Sequence, residues 1–138
     1  MNFEGFSTVE FPPINREVPG FVYVWCWING SEEVPFYVGQ TKRVWGRLDD
    51  YYWAMFSAST DFRVGEAVRY LSTKGYRIVV KYRSSADPLK EEAEIIKSLQ
   101  ECDRRTLLNE LGGFDYRTAD EAEERRRVQQ FLGTLLLS

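Results

Sequence analysis

The chain has 138 residues, 43% hydrophobic and 15% aromatic, enough for one domain with its own core and no staples. Histidine is absent, which excludes a histidine base, nucleophile or metal ligand, and no stretch approaches the roughly 18 apolar residues of a membrane span. The net charge of −3 argues mildly against a nucleic-acid partner, but it is unevenly spread. Residues 1–39 carry one basic and five acidic side chains (net −4), residues 40–83 nine basic and four acidic (net +5), and residues 84–138 eight basic and twelve acidic (net −4). Such a basic middle suits a phosphate backbone and equally an ordinary solvated surface.

Residues 1–19, with Pro12, Pro13 and Pro19 and no basic leader ahead of an apolar run, predict an extended arm. "FVYVWCWI" (21–28) is apolar at both alternating sets of positions, so it predicts a central strand covered on both faces. "NGSEE" (29–33) marks a turn, and 34–39 should return as the antiparallel hairpin partner. Helical period follows over 42–56, with Val44, Leu48, Tyr51 or Tyr52, and Met55 on one stripe, and again over about 61–73, closed by Gly75.

"YRIVVKY" (76–82) predicts a third strand. Asp87 as N-cap and Pro88 at the first helical position then open a helix running to about 101. "LLNELGG" (107–113) is a short apolar return, and 118–136 predicts a last amphipathic helix. The expected fold is α+β: a small antiparallel sheet of about three strands, flanked by helices, with an extra C-terminal helix. Cys26 and Cys102, with no secretory leader, predict reduced thiols and a cytoplasmic setting.

The 88–101 helix holds an anomaly. At about 100° per residue, Leu89, Ala93, Ile95, Ile96 and Leu99 share one apolar arc. Glu91 and Glu94 fall outside it, beside Lys97 and Ser98, whereas Glu92 falls inside. A carboxylate facing the domain body needs an ion pair, hydrogen bonds or a metal. An arginine from the sheet or the first helix would satisfy it, and so would a functional site.

"GFVY" opening the first strand, "YVGQT" closing the second, "TKRVWGRLDDY" entering the helix, "EAEIIK" and "TLLNE" together resemble the motifs of the GIY-YIG nuclease family, over about residues 20–113. In that family an arginine stands eight positions after the YIG glycine. Here Arg47 stands eight after Gly39, and Tyr51 four further on. The resemblance implies a catalytic set of Tyr23, Tyr37, Arg47, Tyr51, Glu92 and Asn109, with Gly39, Gln40, Lys42 and Arg43 toward the substrate. Gln40 takes a position that is lysine in some members.

It further implies one Mg²⁺ or Mn²⁺ held mainly by Glu92, and hydrolysis of DNA phosphodiesters. Hard cations of this kind take oxygen ligands and retain water, and guanidinium forks onto phosphate. Residues 20–113 would then be the nuclease domain and 114–138 a helical extension packed on it. In that extension either Val128, Phe131, Leu132 and Leu135 close the core, or Leu135, Leu136 and Leu137 form a homodimer patch. A catalytically silent module that binds nucleic acid or protein is the alternative, favoured by the acidic pI.

Overall fold

The computed structural model describes residues 3–10, 21–41, 59–111 and 121–137. Four strands, β1 (Ser7–Glu10), β2 (Phe21–Asn29), β3 (Glu32–Thr41) and β4 (Ile78–Ser84), form one antiparallel sheet in the order β1-β4-β2-β3. Among the described residues three helices accompany it: α1 (Ser59–Thr73), α2 (Pro88–Lys97) and α3 (Glu121–Leu137). None of these helices is long and apolar enough to cross a membrane. The expected helix over 42–56 lies outside the described residues.

β2 is an inner strand, paired to β3 on one side and β4 on the other. Its two apolar faces fill two cores. Tyr23, Trp25 and Trp27 pack with Val68 and Leu71 of α1 and Val128 and Leu132 of α3. Val22, Val24 and Cys26 pack with Val38, Val79 and, from the α2 side, Ile95 and Leu99. The sheet is thus a middle layer, as a strand apolar at every position requires.

The expected strand count is corrected. The sheet has four strands, because Ser7–Glu10, inside the expected extended arm, pairs along β4 from Ser7↔Tyr82 to Glu10↔Val79. The physical reason lies on β4. The Lys81 ammonium is nearly buried; it donates to Thr8 Oγ1 at 2.8 Å and pairs with Glu33. Phe3 sits against the same ammonium and Phe6 against the Arg83 guanidinium, at 5.9 and 4.6 Å from the ring centres. An isolated four-residue strand has little stability, so it needs these tertiary partners.

The β2–β3 register slips between Trp25 and Cys26, where Tyr37 faces Trp25 but Pro35 faces Cys26. Phe36 is therefore the extra residue of a bulge. It turns toward Trp25 and Trp27, with ring centres 6.5 and 5.8 Å away. Pro35 is tolerated because β3 is the outer strand of the sheet and the residue sits beside a bulge.

α1 ends on Gly75 at φ +91, with Gly75 N–H bonded to Ser72 O and Tyr76 N–H to Leu71 O, the paired closure that a left-handed residue allows. α2 begins as its sequence predicts: Asp87 accepts from the Lys90 N–H at 3.3 Å, ahead of Pro88. Its burial is confined to the second half. Ile95 and Leu99 are buried, but Leu89, expected on the apolar arc, is 70% exposed, and Ala93 is exposed too. Beyond Lys97 the coil widens to a π turn (Ser98–Cys102), and a 3₁₀ turn (Leu108–Glu110) follows.

α3 belongs to the same core as the sheet, through Val128 and Leu132, with Leu135 and Leu136 packed at its margin. Across the α1–α3 seam, Arg63 pairs with Glu124, and Glu66 accepts from Gln129 at 3.0 Å and pairs with Arg125 at 3.3 Å.

Candidate active site

β3 positions the first half of the site. The bulge at Phe36 resets the alternation, so that Tyr37 lies on the same face as Trp25 and, diagonally, Tyr23. Gly39 faces Tyr23 directly in the register. A Cβ on Gly39 would sit 2.6 Å from both Cζ and the phenolic oxygen of Tyr23, closer than real contacts allow. The Tyr23 ring therefore lies across the Gly39 backbone, and glycine is what makes room for it. The sequence motif has a steric cause: the third residue of "YVG" accommodates the tyrosine of "GFVY".

The 3₁₀ turn contributes Asn109. Its Nδ2 donates to Val38 O at 2.8 Å, and its Oδ1 accepts from Val38 N–H at 2.9 Å. Val38 lies on the outer strand, and the carboxamide satisfies both of its peptide groups at once. The Leu107 N–H donates to Glu110 Oε2 at 2.6 Å, fixing the turn that carries Asn109. Asn109 thus ties the turn to β3 immediately beside Tyr37.

A cleft of about 210 Å³ opens here, lined by Tyr37, Arg63, Glu92, Leu108, Asn109 and Leu111. Three of the sequence-predicted residues, Tyr37, Glu92 and Asn109, meet in it. Tyr23 is 2% exposed and lies one strand inward; it does not line the cleft. Lys42, Arg43, Arg47 and Tyr51 lie outside the described residues. Gln40 and Gly39 continue β3 past the cleft.

Glu92 comes from α2, on the turn preceding Ile95 and Ile96, and is half-buried. Among the described residues it has no hydrogen bond and no ion pair. The nearest acidic neighbour in sequence fares differently, since Glu91 pairs with Arg83 of β4 at 3.3 Å. The arginine from the sheet thus serves Glu91, not Glu92. Burial raises the Glu92 carboxyl above its ordinary range.

Arg63 is the residue that sequence reasoning missed. It is 8% exposed, pairs through Nε with Glu124 and donates from Nη1 to the Leu111 carbonyl. Glu124 is 4% exposed and also accepts from Arg127 at 3.2 Å. Arg63 brings fixed positive charge to the wall of the cleft, anchored from α3, an element outside the motif region. Nothing local to "DFRVGEAV" marks it, because its partner stands 61 positions away.

Among the described residues no group of three acidic or cysteine side chains gathers. A cation at this cleft would therefore rest on one carboxylate, with water and ligand oxygens completing the shell. Mg²⁺ accepts this: it binds through one or two carboxylates plus phosphate oxygens and keeps several waters. Glu92, desolvated and unpaired among the described residues, fits such a cation, which would supply a counter-charge.

Scans of protein-family models, curated proteins and solved structures find no match to this chain.

Proposed function

We propose that the chain is a metal-dependent endonuclease of the GIY-YIG type, hydrolysing phosphodiester bonds in DNA. One observation carries the reading: Glu92, selected by helix geometry, has no partner among the described residues and stands in a polar cleft with Tyr37 and Asn109. A carboxylate is not left this way in a purely structural role, where pairing would offset its desolvation.

A bound Mg²⁺ or Mn²⁺ would counter the charge that develops on phosphorus and on the leaving oxygen. The chain's own residues do the rest. Glu92 holds the cation site open to the cleft. The Tyr37 hydroxyl donates toward a phosphate oxygen or orients the attacking water. Arg63 adds positive potential from the wall, held in place by Glu124. Arg47 and Tyr51 are proposed to grip the scissile phosphate, with Lys42 and Arg43 on the flanking backbone. Asn109 works indirectly, by holding the 3₁₀ turn to β3 at Val38. Tyr23 is 2% exposed and does not line the cleft, so it is proposed to seat the Gly39 backbone beside Tyr37. Acidifying the attacking water is the chemistry that a bound cation would supply.

Plasmid nicking in the presence of Mg²⁺ or Mn²⁺ tests the proposal, with Glu92→Gln as the control. Metal-dependent nicking by the native chain alone supports it. Equal nicking by both proteins, or none with either metal, overturns it. The acidic pI of about 5.1 favours a second reading, a silent module that binds nucleic acid or protein. DNA binding without cleavage, weakening steeply as salt rises, would support that reading instead.

A further inference from the structure

We propose that a second cleft, at the hairpin end of the sheet, is a binding site for a small organic anion built on one flat ring, with Arg104 as its anion-binding group. The cleft measures about 220 Å³ and shares no lining residue with the Glu92 cleft. Trp27 and Tyr76 form an aromatic wall, their ring centres 6.4 Å apart and tilted by 61°. Leu135 and Leu136 of α3 close the apolar side, and Asn29 and Thr106 stand on the polar side.

Two arginines border this space, and they are not equivalent. Arg105 donates to Glu32 at 2.7 Å, so its charge is matched within the cleft. Arg104 is exposed and, among the described residues, has no hydrogen-bond or ion-pair partner. The cleft therefore carries one uncompensated positive charge beside an aromatic wall.

The backbone at Arg104 makes the placement informative. Arg104 has φ +55, and it is the one non-glycine residue with positive φ among the described residues. It terminates the π turn: Asp103 N–H bonds to Ser98 O, and Arg105 N–H reaches back to Leu99 O at 2.8 Å. Gly75 does the corresponding job at the end of α1. A left-handed residue at a helix end is ordinarily glycine, since a side chain there is strained. At Arg104 the chain keeps a long cationic side chain in a position where glycine would be more stable. Retaining it under strain, at the mouth of a cleft, points to a use for the guanidinium.

The volume limits the occupant. Pockets for drug-sized ligands span about 300–1,000 Å³, so this one suits a single ring with one charged substituent. Guanidinium recognises carboxylate and phosphate equally well in geometry, and the aromatic wall takes the ring edge-on or offset. Aromatic carboxylates and aryl phosphates share this chemistry.

Titrations of the full ¹⁵N-labelled chain with benzoate, phenyl phosphate, benzamide and inorganic phosphate test the site. Benzoate or phenyl phosphate should shift the Trp27 indole N–H and the Asn29 and Thr106 amides, leaving those of Tyr37 and Glu92 in place. The dissociation constant should be on the order of 1 mM, the range that ligand efficiency sets for so few atoms. The first anion alone to act tells carboxylate from phosphate ester, and either supports the site. Benzamide and inorganic phosphate should bind at least tenfold more weakly. Arg104→Gly should weaken the anion at least tenfold while raising Tm by roughly 2–5 °C through relief of backbone strain. No shift with either aromatic anion, equal binding of benzamide, unchanged affinity in Arg104→Gly, or a Tm that fails to rise would each overturn the proposal. The readout requires no cleavage, so it stands whether or not the chain is a nuclease.

Discussion

Glu124 and Glu92 are two acidic side chains withdrawn from water, and the fold treats them in opposite ways. Glu124 is the more deeply buried, yet Arg63 and Arg127 meet it across and along the α1–α3 seam. Glu92 is only half-buried, has no counter-charge among the described residues, and its carboxyl is pushed up by burial. Burial depth alone would single out Glu124 as the unusual residue; partner accounting singles out Glu92. On the proposed reading, Glu124 is a structural charge that the protein completes, and Glu92 one left for a ligand to complete.

The sharpest way to break this contrast is to remove each carboxylate in turn. Glu92→Gln should lower metal-dependent nicking by about a thousandfold, since a metal's charge stabilisation is worth several kcal/mol and each 1.36 kcal/mol is tenfold. The variant should remain folded. Glu124→Leu should do the reverse, costing about 3–5 kcal/mol of stability in chemical denaturation because Arg63 is left buried without its anion. A stable Glu124→Leu protein, or an unfolded Glu92→Gln protein, would erase the distinction.

Gly39→Ala comes next, and it tests the frame around the cleft. The new methyl would displace the Tyr23 ring, costing about 1–3 kcal/mol as overpacking does, and moving the strand that carries Tyr37. Thermal melts together with nicking rates measure both parts. An alanine variant with native stability and rate would show that the ring has space to yield.

A smaller effect sharpens the comparison through pH. Because burial raises the Glu92 pKa, the native chain binds that proton more tightly than the unfolded one does. Its stabilising contribution is thus full below the ordinary carboxylate pKa of 4.5 and lost as pH rises through the native value. In metal-free buffer Glu92→Gln should melt above the native chain at pH 7, with the gap closing toward pH 4. A gap independent of pH would mean that Glu92 has a counter-charge after all. The smallest perturbation is chemical. Burial, with Glu33 adding to it, pushes the Cys26 thiol up to about 12, while Cys102 is exposed. One thiol per native chain should therefore react with a thiol reagent at pH 8, and two after unfolding.

Much of the frame was legible because it depends on local pattern. The doubly apolar "FVYVWCWI" stated its inner position, Asp87–Pro88 stated a helix start, and the angular place of Glu92 followed from one turn of helix. What escaped depended on distant partners. Ser7–Glu10 becomes a strand only because Lys81, 73 positions away, bonds Thr8. Arg63 enters the cleft only because Glu124 arrives from α3. The cleft at Glu92 was anticipated for three of its lining residues, and Arg63 was not among them. The space required by Tyr23 over Gly39 needs the register of β2 on β3, which no local spacing supplies. Leu89 misled for a different reason: periodicity gives a side chain's direction, but not whether the sheet extends far enough to cover it.

The carboxamide of Asn109 has a consequence for solubility. Outer strands invite a second chain to add on through their bare peptide groups, the usual start of sheet-driven aggregation. At Val38 both groups are already taken by one side chain, so an incoming strand meets a blocked rung in the middle of β3. The residue that shapes the cleft also guards that rim, and losing it would leave the protein sticky as well as misshapen.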